Sequence, residues 1–249
     1  MRPRSCRSAA SLVCLLLALA FAAVARAQAP VGTAVGMVTH LSGTLLVKRA
    51  GATRALSVKS EIQEGDTLMT QADTYARFKF NDNGELVMRP ESQLDVTRYS
   101  YKAAEPQQDG VLLGLVKGGM RSVTGLLGQR SKDKFSVQTN TATIGIRGTH
   151  FGALFCQADC GGIQTPAGGP PPDGLHVDVA QGAITLTNPA GTQVVNAGQF
   201  GYVRDNATPP IIQPPAQGIQ VTMPPSISRN DTGGRPAGAK SAEPECVVQ

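Results

Sequence analysis

Apolar and polar residues alternate along most of this chain, which is the pattern of β-strands that bury one face. The clearest run is Tyr75–Phe80, which places both phenylalanines and Ala76 on one face and its remaining side chains on the other. Asn81–Gly84 follows as a hairpin turn, because Asn and Gly tolerate the positive φ angles of such turns. Glu85–Arg89 is then the returning strand.

The same alternation predicts strands over much of the remaining chain. They are Thr44–Lys48, Arg54–Val58, Thr67–Thr70, Leu94–Tyr99, Val111–Val116, Gly119–Val123, Phe135–Thr139, Leu175–Val179, Ala183–Thr187, Gln193–Val195 and Gly201–Arg204. Leu126–Lys132 is the one place where a short helix fits. We therefore expect one all-β domain over residues 35–204, built as a two-layer β-sandwich or roll, or as a short solenoid of hairpins.

Two stretches of the chain resemble each other. Residues 41–51 and 180–191 each contain a Gly, an alternating strand, a Gly-containing turn and the start of a second strand. The corner at Ala197–Gln199 matches the corner at Glu64–Asp66. Two copies do not establish a solenoid, and the general likeness of β-hairpins explains the echo equally well.

Composition agrees with short strands and many turns. The chain has 28 glycines, 17 prolines, no tryptophan and 4% aromatic residues, so its core must be largely aliphatic. Residues 161–174 are rich in Gly and Pro and are expected to form an inserted loop. Residues 205–249 contain paired prolines and few periodic apolar residues, which predicts a disordered tail.

The N-terminus has the three parts of a cleavable signal peptide. Arginines precede the apolar run Ala9–Val24, and Ala25–Ala27 supplies the small residues that signal peptidase reads. Cleavage would remove residues 1–27 and leave residues 28–34, beginning at Gln28, as a short linker. The apolar run is shorter than the roughly 20 residues of a spanning helix, so an uncleaved anchor is the weaker alternative. We expect a periplasmic or secreted protein without a membrane span after cleavage.

Cleavage also changes the charge. Four arginines and no acidic residue leave with the signal peptide, so the formal net charge falls from +5 to +1. The most basic stretch that remains, Arg121–Lys134, is interrupted by Asp133. Because a basic stripe supplies affinity for phosphate, nucleic-acid binding is not expected.

The chain shows no recognisable catalytic or cofactor-binding motif. Its histidines, His40, His150 and His176, are widely spaced in predicted strands. It has no His-Glu-x-x-His helix, no Gly-x-Ser-x-Gly elbow and no phosphate-binding loop ending in Gly-Lys-Ser/Thr. We therefore predict no catalytic residues, no cofactor and no metal site, and expect the protein not to be an enzyme.

Three cysteines remain after cleavage: Cys156, Cys160 and Cys246. In an oxidising compartment Cys156 and Cys160 are candidates for a small disulfide at the base of the inserted loop. A metal site that combines them with His150 is the weaker alternative, because the spacing is uncommon for zinc and a fourth ligand is missing. Cys246 is then the odd thiol.

Residues 141–151, Thr-Ala-Thr-Ile-Gly-Ile-Arg-Gly-Thr-His-Phe, resemble the hallmark of the FecR-domain family. Other stretches match in the same order: Gly43 with the strand after it, Glu64–Thr70, Phe78–Gly84 and Leu115–Gly119 running into Val123–Gly125. The resemblance covers about residues 35–204. The Ile-Gly-Ile-Arg-Gly-Thr run is the specific element, whereas the others alone would be ordinary turn chemistry.

In the best-known members of that family, the domain is the periplasmic half of an inner-membrane regulator. It receives a signal from an outer-membrane siderophore receptor and controls a sigma factor. That arrangement needs a cytoplasmic segment and a spanning helix before the domain, where this chain has a signal peptide. Because the chain departs from the family at the part that signals, transcriptional control is not carried over. We expect a non-catalytic module that binds a protein or glycan of the cell envelope. The alternative is a periplasmic signalling partner in iron- or siderophore-responsive signalling.

The motif residues also have physical interpretations. At the Glu64–Thr67 corner, Gly65 is expected to take a positive φ, and the Asp66 carboxylate to accept backbone N–H groups. In the run that ends at Thr149, Gly145 and Gly148 would leave room for close approach in a crowded sheet. Arg147 is predicted to be a buried clamp on a carboxylate or on turn carbonyls; the alternative is an exposed contact for an anion or partner.

Overall fold

The computed structural model describes residues 32–228. Its strands are β1 Ala34–Leu41, β2 Leu45–Arg49, β3 Ala52–Leu56, β4 Glu61–Gln63, β5 Thr67–Thr70, β6 Ala76–Phe80, β7 Glu85–Met88, β8 Gln93–Ser100, β9 Gly110–Val123, β10 Phe135–Gln138, β11 Thr143–Ile146, β12 His150–Cys156, β13 Gly174–Gln181, β14 Ala183–Asn188, β15 Gly191–Asn196, β16 Phe200–Val203 and β17 Ile211–Gln213. Two short helices are α1 Leu126–Arg130 and α2 Pro225–Ser228. Single 3₁₀ turns lie at Pro106–Gln108 and Lys132–Lys134.

The strands form two layers. Sheet 1 has the order β4-β1-β6-β7-β9-β12-β13-β16-β17. Sheet 2 has the order β3-β2-β5-β8-β9-β10-β11-β14-β15. Neighbouring strands are antiparallel except for β9 and β10, which are parallel. The prediction of an all-β fold is confirmed.

One strand belongs to both layers. The first half of β9 pairs with β8 in sheet 2, and its second half pairs with β7 and β12 in sheet 1. The change occurs at Gly118, whose φ is +76°. A Cβ there would lie 2.7 Å from the Cα of Ser92, so only glycine fits. The sequence predicted two separate strands here, because the Gly-rich bend interrupts the alternation.

The inner faces of the two sheets share one apolar core. Phe78 and Phe151 from sheet 1 and Leu45, Leu68 and Leu94 from sheet 2 are all fully buried. The alternation predicted for residues 75–80 is present, since Ala76, Phe78 and Phe80 are buried on the same face. Local period-two patterning therefore decided which side chains point inward.

The repeated hairpin module is visible in the structure. β2 and β3 form one copy and β14 and β15 the other, and the copies lie at opposite edges of sheet 2. The two matching corners both turn at a glycine with a positive φ, +85° at Gly65 and +80° at Gly198. Residues 157–173 form the irregular connection between β12 and β13, where the inserted loop was predicted.

The packed chain continues beyond residue 204, and this corrects the predicted start of the disordered tail. β17 pairs with β16, and Ile219, Val221 and Ile227 are buried. Ile219 and Val221 stand at alternate positions and pack against Leu154 on the outer face of sheet 1. Residues 1–31 and 229–249, and with them the predicted signal peptide and Cys246, lie outside the described residues. In the described part, no helix has the length and apolar character needed to cross a membrane.

Candidate functional site

Residues 141–151, here called the family-like run, include strand β11 of sheet 2 and the bend that follows it. In β11, Ile144 and Ile146 point into the core and are buried, whereas Thr143 and Gly145 face outward. Ser136 on β10 and Thr185 on β14 flank Gly145 in register. The motif therefore has one face that supports the fold and one that meets solvent.

Gly145 leaves space open to solvent. A Cβ at this position would meet a single atom within 4 Å, the carbonyl oxygen of Thr185 at 3.9 Å. The predicted close approach in a crowded sheet is therefore wrong for Gly145, because its side-chain position faces outward. Its effect is to lower the floor of a groove on the sheet surface.

Arg147 is exposed in the bend that follows β11. Its backbone N–H donates to the carbonyl of Ala183 at 3.0 Å. Its guanidinium has no hydrogen bond or ion pair with any residue of the described range. The prediction of a buried clamp is wrong, because β11 ends at Ile146 and the strand alternation no longer directs the next side chain inward.

The bend is built from glycines and a threonine pair. Gly148 has a φ of +67°, and a Cβ at Gly182 would lie 2.4 Å from the Gly148 carbonyl oxygen, so here two backbones do approach closely. The Thr149 N–H donates to Thr124 Oγ1 at 2.9 Å, and the Thr124 N–H donates to the Thr149 carbonyl at 3.0 Å. These contacts hold the backbone on which Arg147 is presented.

Together these residues border an open groove of about 540 Å³. Its lining is Lys132, Asp133, Phe135, Ser136, Thr143, Gly145, Ile146, Arg147, Thr185 and Thr187. We call it the Arg147 groove. Hydroxyl groups form its floor, and two cations and one anion stand at its rim. Such a surface can donate hydrogen bonds to a carboxylate or to carbonyl groups of a partner.

The Gly65–Asp66 corner lies elsewhere and does not line the groove. Gly65 takes the positive φ given above, and Asp66 is buried with its carboxylate accepting the Gln63 N–H at 2.8 Å. The same carboxylate binds Arg49 at 2.5 and 2.6 Å. The hydrogen bond to Asp66 raises the pKa of Arg49. This corner holds the ends of β2 and β4 together.

Sequence reasoning missed a second polar cluster, on the outer face of sheet 1. Arg121 on β9 forms an ion pair with Asp178 on β13, and its Nη1 lies 3.1 Å from His150 Nε2. Burial and the positive charge of Arg121 lower the pKa of His150. The signal that could have found this cluster is Asp178 itself, an acidic residue in the predicted strand Leu175–Val179, where a buried charge needs a partner.

Cys156 and Cys160 form a disulfide with a Cα–Cα distance of 5.5 Å. His150, the third member of the alternative metal site, contacts Arg121. Among residues 32–228, no three His, Cys, Asp or Glu side chains are grouped so that they could hold a metal ion. The cysteines therefore serve to close the base of the inserted loop.

Comparison with known proteins agrees with the motif. Residues 66–185 match the family model described as FecR protein, so this part of the chain is a FecR domain. Two crystal structures of a candidate anti-sigma factor from Parabacteroides distasonis share 12% and 13% sequence identity with it. Both alignments have a TM-score of 0.44 and cover 59% of this chain and 58% of the solved chain, less than two thirds of its length. No curated protein matches significantly.

Proposed function

We propose that this protein is a non-enzymatic signalling module of the cell envelope that binds a partner protein through the Arg147 groove. The observation that supports this proposal is the exposed position of Arg147. The rest of the family-like run is used to build the sheet and the bend, whereas this guanidinium is exposed and has no partner in the described part of the chain. The match to the FecR family supports a signalling role.

The chemistry of the groove favours an acidic group on the partner. A guanidinium presents a planar fork of donors that matches a carboxylate, and Lys132 adds a second positive charge at the rim. Asp133 keeps the local charge low, so binding would depend on geometry as well as on attraction. The threonine hydroxyls of β11 and β14 supply further hydrogen bonds along an extended contact.

Two finer parts of the proposal concern where the protein acts and which signal it responds to. We propose that the chain is exported after cleavage before Gln28 and acts in the periplasm or outside the cell. A link to iron or siderophore uptake is the more specific form of the signalling proposal. N-terminal sequencing of protein recovered from the native host tests the export step, and retention of residues 1–27 would contradict it.

The binding step can be tested with exported protein in envelope extracts of the native host. Bound proteins are cross-linked, captured and identified for wild type and for Arg147→Glu. We expect the charge reversal to abolish capture of the principal partner. Arg54→Glu is the matched control, because Arg54 is an exposed arginine on β3, at the opposite edge of sheet 2, and should leave capture unchanged.

The signalling step needs a separate readout. Transcript profiles of the native host are compared between a strain that lacks the protein and strains that carry wild type, Arg147→Glu or Arg54→Glu. We expect the Arg147→Glu strain to resemble the deletion and the Arg54→Glu strain to resemble wild type. Loss of capture without any change in transcripts would mean that the groove binds a partner, protein or glycan, outside a signalling pathway.

A further inference from the structure

A segment near the end of the described chain crosses the outer face of sheet 1. We call residues 218–227 the strap. They pair with no strand in the described range, and the last three of them belong to α2. Ile219 and Val221 are buried, whereas Gln220 and Thr222 between and after them are exposed. The Thr222 N–H donates to the Gln220 carbonyl at 3.0 Å, so the backbone bends in a γ-turn at Val221. The strap therefore lies on the sheet as an irregular chain in which the buried residues Ile219 and Val221 stand at alternate positions.

The backbone of one strap residue is held by an ion pair of the sheet. The Val221 N–H donates to Asp178 Oδ1 at 2.9 Å, and the Val221 carbonyl accepts from Arg121 Nε at 2.9 Å. Arg121 and Asp178 also bind each other. Both main-chain polar groups of Val221 are thus satisfied by side chains, so these two contacts do not depend on which side chain the residue carries.

The side chain of Val221 enters a space that a glycine leaves open. A Cβ at Gly152 on β12 would lie 2.6 Å from Val221 Cβ, so any larger residue would displace the strap. Val221 and Ile219 then pack with Leu154 and the Cys156–Cys160 disulfide in an apolar cluster separate from the main core. Arg121, Gly152 and Asp178 thus form a cradle that holds one apolar residue at the centre of a γ-turn.

The strap fills only part of the surface beside this cradle. A cavity of about 430 Å³ continues along sheet 1 between the strap residues Met223 and Ile227 and the strands β7, β9 and β12. Its walls include Glu85, Val87 and His150. This space is open to solvent, so the strap and the sheet leave accessible surface beside the cradle.

We propose that the cradle is a binding site for a peptide segment that presents one apolar residue in a γ-turn, and that the strap occupies it as an internal ligand. Its external occupant is a segment of a partner protein with the same alternation of apolar and polar residues as residues 219–223. The strap and that segment compete for one site. This inference goes beyond the proposed function, since the cradle lies on sheet 1 and the Arg147 groove on sheet 2.

The chain that leads to the strap is suited to release it. Residues 214–217, Pro-Pro-Ala-Gln, form a turn at the surface. The strap is held to the sheet by the two hydrogen bonds of Val221, by its apolar side chains and by contacts near Ile227. It has no ladder to unzip, so it can leave without breaking the strand pairing of sheet 1.

The test uses a labelled synthetic peptide with the sequence of residues 217–228 and the full-length chain. Val221→Asp places a carboxylate against Asp178 in an apolar space and should unseat the strap. We expect this variant to bind the peptide at least about tenfold more tightly than wild type, which corresponds to about 1.4 kcal/mol. Gln220→Asp is the matched control, because it adds the same charge at an exposed neighbour and should bind as wild type does.

Two further measurements keep the test decisive. A peptide that carries the same Val→Asp change should not bind the Val221→Asp chain. If that chain is folded by circular dichroism and still does not bind the wild-type peptide, the proposal is overturned. If it does not fold, a protease site is placed at residues 214–217 and cut: exchange of the cut strap for the labelled peptide supports the proposal. Unfolding of the cut protein, or a strap that does not exchange, contradicts it.

Discussion

The guanidinium of Arg49 and the carboxylate of Asp66 form a bidentate ion pair, with Nε–Oδ1 at 2.5 Å and Nη2–Oδ2 at 2.6 Å. The Asp66 side chain is fully buried, and that of Arg49 is one quarter exposed. The pair fastens the end of β2 to the corner between β4 and β5. Arg49 thus plays the structural role that the sequence pattern suggested for Arg147.

We predict opposite stability effects for the two arginines. Arg49→Ala leaves a buried carboxylate with the Gln63 N–H as its remaining donor and should lower the free energy of unfolding by about 3 kcal/mol. Arg147→Ala removes an exposed side chain and should change it by less than about 0.5 kcal/mol. Urea unfolding of both variants measures the difference.

Arg49→Lys is the control for charge without the planar fork. It should recover only part of the loss, because one ammonium cannot make both parallel hydrogen bonds. Equal destabilisation by Arg49→Ala and Arg147→Ala would refute this assignment of roles.

A second buried carboxylate depends on a phenol. The Tyr99 hydroxyl donates to Asp82 Oδ1 at 2.7 Å, and the Gly84 N–H donates to the same oxygen at 2.9 Å. Burial and the negative charge of Asp82 raise the pKa of Tyr99. The phenol is therefore the protonated donor of this pair at neutral pH.

Tyr99→Phe should lower the free energy of unfolding by about 1.5–3 kcal/mol, the cost of a hydrogen bond to a charged group. The aromatic contact with Phe80, at 5.0 Å between ring centroids, should be retained. Tyr75→Phe is the control, because that tyrosine is half-exposed. Thermal melts of both variants would show a large loss for Tyr99→Phe only; equal melting temperatures would contradict the role of the hydroxyl.

His176 predicts a dependence of stability on pH. It is buried on β13, its Nε2 lies 2.8 Å from the Pro172 carbonyl oxygen, and its ring stacks on Tyr202. Burial lowers the pKa of His176 below its usual value of 6.5, so the folded protein favours the neutral ring. Stability from this group is fully present above about pH 6.5 and is lost as the pH falls through and below that value.

Melting temperatures at pH 7 and pH 5 test this effect. Wild type should melt at a lower temperature at pH 5, and His176→Gln should show a smaller difference between the two pH values. Gln keeps a donor for the Pro172 carbonyl but does not titrate. An unchanged pH dependence in His176→Gln would assign the acid sensitivity to other groups.

The disulfide has a covalent and an energetic test. Non-reducing peptide mapping of exported protein should link Cys156 to Cys160 and leave Cys246 unlinked; a peptide that joins Cys246 to either would contradict the pairing. Replacing both paired cysteines with serine should cost about 2 kcal/mol, since a small loop loses little chain entropy when it is closed. The Cys246→Ser variant should unfold as wild type does.

The sequence by itself determined which residues face the core, because strand alternation is a local property with a period of two. Ala76, Phe78 and Phe80 were placed correctly on that basis, and the positive φ expected at Gly65 follows from its turn. The all-β class and the hairpin module follow from the same local signals.

Only the tertiary structure decided which polar groups meet. Arg49 finds Asp66 across 17 positions, and Arg121 finds Asp178 across 57, because strand order brings them together and no local pattern encodes that order. The tertiary structure also decided that β12 is buried on both faces. The strap covers the outer face of this nearly continuous apolar strand. The sequence carried no periodic signal of this packing, because the strap lies in a proline-rich segment.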